Sequence, residues 1–358
     1  QDWRGWIAYG MAWSAAAPQR ATDRSTAAPA ASGATFPLRL TAYREDRPGP
    51  RWKALRDATW PAYSAWYFSQ GFCNRPSLAE CREQLTRHMP QLVPVWERLV
   101  RLSGSDTVSA RLLSMWRMPS FVTGCSQAAV AGPDPLLVRN YDYDLALFEG
   151  VIASTNWSGH RKVLGTSDLL WGLLDGMNED GLVASLAFGG RTDVGDGFGI
   201  PLVIRYVLET CADVGAAIEV LRRLPVAQAY NVTLADATGA HATVFVAPGE
   251  PIAVSALAVA TNHRLDVVEH PEHARRLRSL TRQQHLTRLL REGARDGLIE
   301  AFLHEPVRAD QYTIGFGTLY TAVYRPSAGT VTYRWPGQSW VRTFDDEEDR
   351  RDVTLVGR

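Results

Sequence analysis

One cysteine and the charged segment that follows it are the residues of this sequence most suited to carry out a reaction. Cys125 follows Gly124 and opens a run of strand-like residues, and a second such run carries Arg139 and Asp142. The Gly-Pro-Asp-Pro turn at 132–135 predicts a hairpin that folds the second run back onto the first. The Arg139 cation can then lower the pKa of the thiol, and a thiolate is a nucleophile for acyl transfer.

The residues alone leave two interpretations open. An isolated cysteine in an apolar stretch is more often a small buried hydrophobe than a nucleophile. Three features favour catalysis: Gly124 lets other groups approach the backbone, Cys125 begins the hairpin, and the return strand carries charge. Arg139 and Asp142 could, however, form an ion pair whose only role is structural.

Composition limits the class of protein. The chain has 358 residues, and its 38 basic and 38 acidic side chains give a net charge of zero. No basic stripe predicts a nucleic-acid partner, and no apolar run approaches the ~20 residues that cross a membrane. We therefore expect no nucleic-acid and no membrane partner. Four cysteines are too few for a disulfide scaffold, which favours a reducing compartment and predicts a cytoplasmic protein.

The predicted elements must bring these residues together. Residues 1–35, rich in Ala, Ser, Thr and Pro, predict a poorly ordered extension and linker. Residues 36–118 predict one short strand at 36–43 and then several packed helices, as a separate lobe or an added layer. After Cys125 the order is strands, two helices, strands, two helices, strands, and the last two helices are predicted at 272–291 and 298–303. This α+β pattern predicts two stacked, largely antiparallel sheets with helices outside.

Several motifs together resemble a known family. They are Gly124-Cys125-Ser126-Gln127, Arg139-Asn-Tyr-Asp142, Gly176-Met-Asn-Glu-Asp-Gly-Leu182, Leu186-Ala-Phe-Gly-Gly190 and Thr261-Asn-His263. In this order they resemble the N-terminal-nucleophile (Ntn) hydrolases, most closely the acyl-CoA:isopenicillin N acyltransferase-like peptidases, with choloylglycine hydrolases and acid ceramidase as relatives. The resemblance covers about residues 60–340 and implies a four-layer αββα sandwich.

The resemblance implies a role for each matching residue. Cys125 resembles a nucleophile that is exposed by self-cleavage of the Gly124–Cys125 bond. Asp142 matches the residue that holds the new α-amino group, and Arg139 matches the arginine beside the thiol. Asn262 matches the asparagine that binds the oxyanion. A free α-amine has a pKa of about 7.7–8.0, so it can act as the general base for its own side chain.

Other site residues are less well defined by the resemblance. Arg275 resembles a second active-site arginine, although Arg276 or Arg278 could take its place. The backbone near Phe188 and Gly189 is a candidate for another oxyanion donor. Asn231 is a candidate for the substrate pocket, although hydrogen bonding at a strand edge explains it equally well.

The resemblance also implies an activity and a division of the chain. We expect a self-processing cysteine amidohydrolase for a small N-acyl substrate, with a thioester intermediate and with no metal or organic cofactor. A helical pro-segment at 36–124 would stay associated with a catalytic part at 125–358, and a homo-oligomer is compatible with the sequence. An N-acyltransferase of the same fold is the first alternative, and a non-catalytic binding protein is a more distant one.

Overall fold

The computed structural model describes residues 33–264 and 271–358, so most of the predicted extension lies outside the described residues. Within these ranges there are sixteen strands and nine α-helices. The strands are β1 (Ala34–Glu45), β2 (Gly124–Val130), β3 (Leu136–Tyr143), β4 (Val151–Thr155), β5 (Val163–Asp168), β6 (Gly172–Asn178), β7 (Val183–Phe188), β8 (Tyr230–Ala235), β9 (His241–Val246), β10 (Ala253–Ser255), β11 (Val259–Ala260), β12 (Asp310–Gln311), β13 (Phe316–Arg325), β14 (Thr330–Trp335), β15 (Gln338–Arg342) and β16 (Asp349–Gly357). The helices are α1 (Pro50–Tyr67), α2 (Leu78–His88), α3 (Val93–Leu102), α4 (Thr107–Leu113), α5 (Ile200–Thr210), α6 (Val214–Arg223), α7 (Pro271–Arg276), α8 (Ser279–Arg291) and α9 (Arg295–Ala301).

The strands form two stacked sheets. Nine strands lie in the order β10-β9-β8-β7-β6-β5-β4-β1-β16, and the second sheet has the order β11-β2-β3-β13-β14-β15, with β12 paired to β13. Strand β2 packs against β7 and β8 of the first sheet, which buries the inner faces of both. Helices α5 and α6 cover the outer face of the nine-stranded sheet, and α8 lies on β2 and β11 with α9 beside it. The predicted αββα sandwich is confirmed.

The β2–β3 hairpin presents its residues alternately to the two sides of its sheet. Cys125 pairs with Tyr141 and Gly124 with Asp142. The side chain of Gln127 crosses to the other sheet, where it accepts a hydrogen bond from the Ser185 hydroxyl at 2.6 Å. Because side chains alternate along a strand, Cys125 also faces the space between the sheets, whereas Asp142 faces helix α8.

Some elements differ from the sequence prediction, each for a physical reason. Strands β6, β15 and β16 were not predicted. Strand β6 is buried on both faces, so the alternation that reveals a strand is absent. The first four residues of β16 are all charged, and within the strand only Val353, Leu355 and Gly357 are buried. The single helix predicted at 272–291 is two helices, because Arg278 adopts a left-handed φ of 53°.

The segment before Cys125 contributes to the main sheet as well as to a helical layer. Strand β1 lies between β4, which is parallel to it, and β16, which is antiparallel to it. Helices α2 and α4 begin at Ser77 and Asp106, whose side chains accept hydrogen bonds from the first-turn amides. The buried Trp52 of α1 donates to the Leu170 carbonyl at 3.0 Å. This segment is therefore packed against the rest of the molecule through both a strand and its helices.

The position of β1 gives a testable expectation. Residues 125–358 expressed alone should fail to fold, because β16 would lose its partner strand, β4 would become an unpaired edge, and the face under α1–α4 would be exposed to water. Co-expression of residues 33–124 should restore a soluble complex. Circular dichroism melts measure this, and a cooperative melt of residues 125–358 alone would contradict the expectation.

Candidate active site

The residues identified in the sequence meet at one end of the sandwich. Asn262, in the bend that follows β11, connects the two sheets there. Its Oδ1 accepts a hydrogen bond from the Cys125 amide at 3.1 Å. Its Nδ2 donates to the Phe188 carbonyl at 3.2 Å and contacts the Thr123 carbonyl at 3.5 Å. One side chain thus contacts the nitrogen of the Gly124–Cys125 peptide bond and the carbonyl of the peptide before it.

The Cys125 thiol is buried between charged and polar groups. Its Sγ accepts a hydrogen bond from Arg139 at 3.1 Å and lies 3.6 Å from the Thr123 hydroxyl. Burial raises the pKa of the Cys125 thiol, and the Arg139 cation partly opposes this effect. This environment therefore favours the protonated thiol over the thiolate.

Arg139 also forms the buried ion pair that the sequence left open, but with a different partner. Its NH1 nitrogen lies 2.5 Å from Asp175 Oδ2, and both side chains are fully buried. The Tyr320 hydroxyl donates to the same carboxylate oxygen at 2.5 Å. Asp175 lies on β6, the strand that was not predicted. This pair crosses from one sheet to the other and fixes the guanidinium beside the thiol.

Arg282 on α8 is a second buried arginine, and the sequence analysis missed it. Its side chain donates to the Cys125 carbonyl at 2.7 Å, the Ser126 hydroxyl at 2.7 Å and Asn262 Oδ1 at 2.6 Å. It also pairs with Asp142 at 3.3 Å. These four acceptors, from β2, β3 and the bend after β11, therefore meet at one guanidinium.

Asp142 lies on the helix side of the hairpin. Burial raises the pKa of its carboxyl, and Arg282 and the hydrogen bond from Thr318 oppose that shift. The Thr318 hydroxyl donates to Asp142 Oδ1 at 2.6 Å. Asp142 thus pairs with Arg282, and the Cys125 nitrogen contacts Asn262.

Arg275 does not lie in this site. Its side chain is exposed, and its Nε donates to the Pro271 carbonyl at 3.3 Å. Arg276 and Arg278 are also exposed residues. In one continuous helix, residues 275 and 282 would share a face, but the left-handed break at Arg278 turns α8 in a new direction. An arginine on the buried stripe of α8, between Ser279 and Leu286, was the available signal for Arg282.

The other candidates have backbone or positioning contacts. The Gly189 amide, part of the backbone expected to supply an oxyanion donor, donates to the Ala229 carbonyl at 2.9 Å in this structure. Phe188 contributes its carbonyl as an acceptor. Asn231 donates to the carbonyls of Thr261 and His263, both at 2.9 Å. Asn231 therefore fixes the bend that carries the asparagine beside Cys125.

Gly124 is required by packing at this position. A Cβ atom there would lie 2.4 Å from Cζ of Phe316 and 3.0 Å from Cβ of Asp142. The close approach expected from the sequence is thus made by a neighbouring aromatic ring. A cavity of about 50 Å³ adjoins Phe316 and Asp142 on the helix side. Such a volume holds a few waters and no acyl chain.

Across residues 33–264 and 271–358, no group of three or more His, Cys, Asp or Glu side chains is arranged to hold a metal ion. No helix in the same ranges has the length and apolar character needed to cross a membrane.

Comparison with known families now adds to this geometry. The family model for acyl-coenzyme A:6-aminopenicillanic acid acyl-transferase matches residues 130–340, which is more than half of the chain. The chain belongs to this family. The assignment to Ntn-type acyltransferases and amide hydrolases is confirmed, and the protein is an enzyme of amide hydrolysis or acyl transfer in this broad sense. The matched range contains Arg139, Asp142, Asn262 and Arg282 and begins after Cys125.

Solved structures similar to this acyl-transferase family member include three hydrolases or acylases. A mutant conjugated bile acid hydrolase from Clostridium perfringens is 16% identical, with a TM-score of 0.43, and the match covers 64% of this chain and 96% of that one. An N-acylethanolamine-hydrolyzing acid amidase ortholog from Caenorhabditis elegans is 17% identical (TM-score 0.42; coverage 57% and 93%). Penicillin V acylase from Agrobacterium tumefaciens is 15% identical (TM-score 0.36; coverage 63% and 80%). No curated protein sequence matches the chain. The family assignment depends on the family model alone.

The two arginines allow a matched test. Arg282→Gln should lower the free energy of unfolding by about 3–5 kcal/mol, because it leaves the buried Asp142 without its cationic partner. Arg275→Gln, on the exposed helix α7, should change it by no more than about 0.5 kcal/mol. Urea denaturation followed by tryptophan fluorescence measures both, and equal effects would show that Arg282 does not have this role.

Proposed function

We propose that this enzyme is a self-processing cysteine amidohydrolase that cuts its own Gly124–Cys125 bond and then hydrolyses the amide bond of a small N-acyl substrate. The observation that carries this proposal is the environment of Cys125. Its thiol lies against the Arg139 cation, and its amide nitrogen and carbonyl contact Asn262 and Arg282. A buried cysteine with a merely structural role has no need of two buried arginines.

Maturation would proceed by an acyl shift from nitrogen to sulfur. The Cys125 Sγ attacks the carbonyl carbon of Gly124, and the bond from that carbon to the Cys125 nitrogen breaks. The nitrogen takes up the thiol proton and becomes an α-amine. Water then hydrolyses the thioester, which releases the carboxyl group of Gly124 and the free thiol. The contacts of Asn262 with the nitrogen of this peptide bond and with the preceding Thr123 carbonyl support the proposal, since they hold the chain around the bond in one orientation.

Turnover would reuse the same groups. The new α-amine, with a pKa near neutrality, takes the thiol proton, and the thiolate attacks the substrate carbonyl. In this structure the Nδ2 of Asn262 contacts the Thr123 carbonyl. Once the residues before Cys125 move away, this Nδ2 becomes free to donate to the oxyanion. The leaving amine takes up the proton, and water hydrolyses the acyl thioester. Asp142 would hold the α-amino group with Arg282.

The cleavage step can be tested directly. On a denaturing gel the wild-type protein should give two fragments, residues 1–124 and 125–358, and mass spectrometry should find a new N-terminus at Cys125. Cys125→Ala should remain one chain. Cys73→Ala is the matched control, because Cys73 is an exposed cysteine in the segment before the cut. An uncut wild-type protein that hydrolyses amides would refute the maturation step, and turnover by Cys125→Ala would refute the nucleophile.

The second candidate function is N-acyl transfer to an amine, and the family description favours it. Water and an amine would compete for the same thioester. An added amine should therefore divide the product between free acid and new amide, while the rate of substrate loss stays constant if formation of the thioester is rate-limiting. Mass spectrometry of the products measures this division. Free acid alone, at every amine concentration, would exclude the transferase.

A further inference from the structure

The Cys125 thiol needs a different partner before the proposed cut than after it. In turnover the α-amine of Cys125 would act as the base for the thiol, but before the cut that nitrogen belongs to a peptide bond. Its lone pair is then delocalised into the carbonyl, so it is not a base. It also donates to Asn262 Oδ1 at 3.1 Å. Self-cleavage therefore requires other groups that favour loss of the thiol proton.

Two side chains contact the Cys125 sulfur and can donate a hydrogen bond to a thiolate. They are Arg139, at 3.1 Å, and the Thr123 hydroxyl, at 3.6 Å. Thr123 is buried, and within residues 33–264 and 271–358 the sulfur is the one hydrogen-bond partner of its hydroxyl. The hydroxyls of Thr59 and Thr210, by contrast, donate to backbone carbonyls. The Thr123 hydroxyl is thus committed to the sulfur.

The segment that carries Thr123 is held in place by side chains that lie after the cut. The Phe121 amide donates to Gln228 Oε1 at 3.3 Å, and Gln228 Nε2 donates to the Ser120 hydroxyl at 2.9 Å. The Phe121 ring packs against the ring of Tyr230, with 5.8 Å between their centroids. These contacts fix the last residues before the cut, so the hydroxyl has a defined position beside the sulfur.

The groups around the thiol differ in what the cut does to them. Ionisable side chains from three elements act on the thiol charge: Arg139, Tyr141 and Asp142 on β3, Tyr230 on β8 and Arg282 on α8. Burial raises the pKa of the thiol, Arg139 lowers it, Asp142 raises it, and the hydrogen bond from Thr123 lowers it. Of these groups only Thr123 lies before the Gly124–Cys125 bond. The cut therefore separates this one donor from the chain that carries the thiol.

We propose that Thr123 is a catalytic residue of self-cleavage alone, whose hydroxyl donates a hydrogen bond to the Cys125 sulfur while the sulfur attacks the Gly124 carbonyl. This inference rests on the proposed maturation step. The bond from Sγ to the Gly124 carbon forms, and the bond from that carbon to the Cys125 nitrogen breaks. The thiol proton passes to this nitrogen, and the Thr123 proton stays on its own oxygen. The hydroxyl stabilises negative charge on the sulfur, and after the cut the α-amine replaces it.

The test measures the rate of cleavage in chains labelled during cell-free synthesis, from the loss of the full-length band on a denaturing gel. Thr123→Val keeps nearly the same shape without the hydroxyl. It should cut about tenfold or more slowly, because a hydrogen bond to a charged atom is lost. Thr123→Ser keeps the hydroxyl and should cut at close to the wild-type rate. Thr210→Val is the matched control, since the Thr210 hydroxyl lies 3.8 Å from the Cys211 sulfur, and it should not change the rate.

The pH dependence of cleavage separates this role from a structural one. The rate should rise with pH as the thiol ionises. Thr123→Val should reach half of its maximal rate at a higher pH than the wild type, because loss of the donor raises the pKa of the thiol. A side chain that only packs would lower the rate by the same factor at every pH and leave this midpoint unchanged.

Turnover by the fully cut protein completes the test. Fully cut Thr123→Val should have the wild-type kcat/KM. Circular dichroism melts show whether each variant is folded, and Thr123→Ala replaces Thr123→Val if the latter does not melt cooperatively. An unchanged rate or midpoint, or a loss of turnover in the fully cut variant, would overturn the role of Thr123 and leave the proposed function intact. A wild-type chain that never cuts would instead refute the maturation step, and the role of Thr123 with it.

Discussion

The buried guanidinium of Arg282 determines how the parts of this site fit together. A guanidinium removed from water destabilises the fold unless acceptors surround it, and here the acceptors come from β2, β3 and the bend after β11. A shift of α8 or of the hairpin register would leave the charge without partners. The left-handed residue Arg278 directs α8 toward the hairpin. The position of Cys125 relative to Asn262 is thus fixed by one shared cation.

A second buried arginine holds the opposite face of the same strand. Arg139 reaches across the interior to Asp175, which also accepts hydrogen bonds from Tyr320 and Tyr324. Cys125 therefore lies between two cations, one between the sheets and one under the helices. The first contacts the thiol and the second contacts the backbone, so the two arginines act on different atoms of the same residue. A residue that served both as nucleophile and as cleavage point would need one cation at its thiol and another at its backbone.

The segment before Cys125 contributes to the molecule in two places, the nine-stranded sheet and the cover over the thiol. Its strand β1 is an interior member of the nine-stranded sheet, where its loss would leave β16 without a partner and expose one edge of β4. Its last residues, by contrast, lie over the thiol, with Thr123 at 3.6 Å from Sγ. The aromatic ring of Phe121, next to Tyr230, covers the same end of the sandwich. A cut after Gly124 could free these last residues to move while β1 stays in the sheet.

Sequence and tertiary structure determined different parts of this protein. Local patterns were enough for the β2–β3 hairpin and the order of layers, because these depend on neighbouring residues and on periodicity. The motifs also located Cys125, Arg139 and Asn262. Strand β6 was not predicted, because burial on both faces removes the alternation of apolar and polar residues that reveals a strand. Asp175, which lies on β6, was not predicted as a site residue for the same reason. Arg282 in place of Arg275, and the contact of Asp142 with Arg282, were decided only by tertiary structure, since a break in a helix and a charge pair across 140 positions have no local signal.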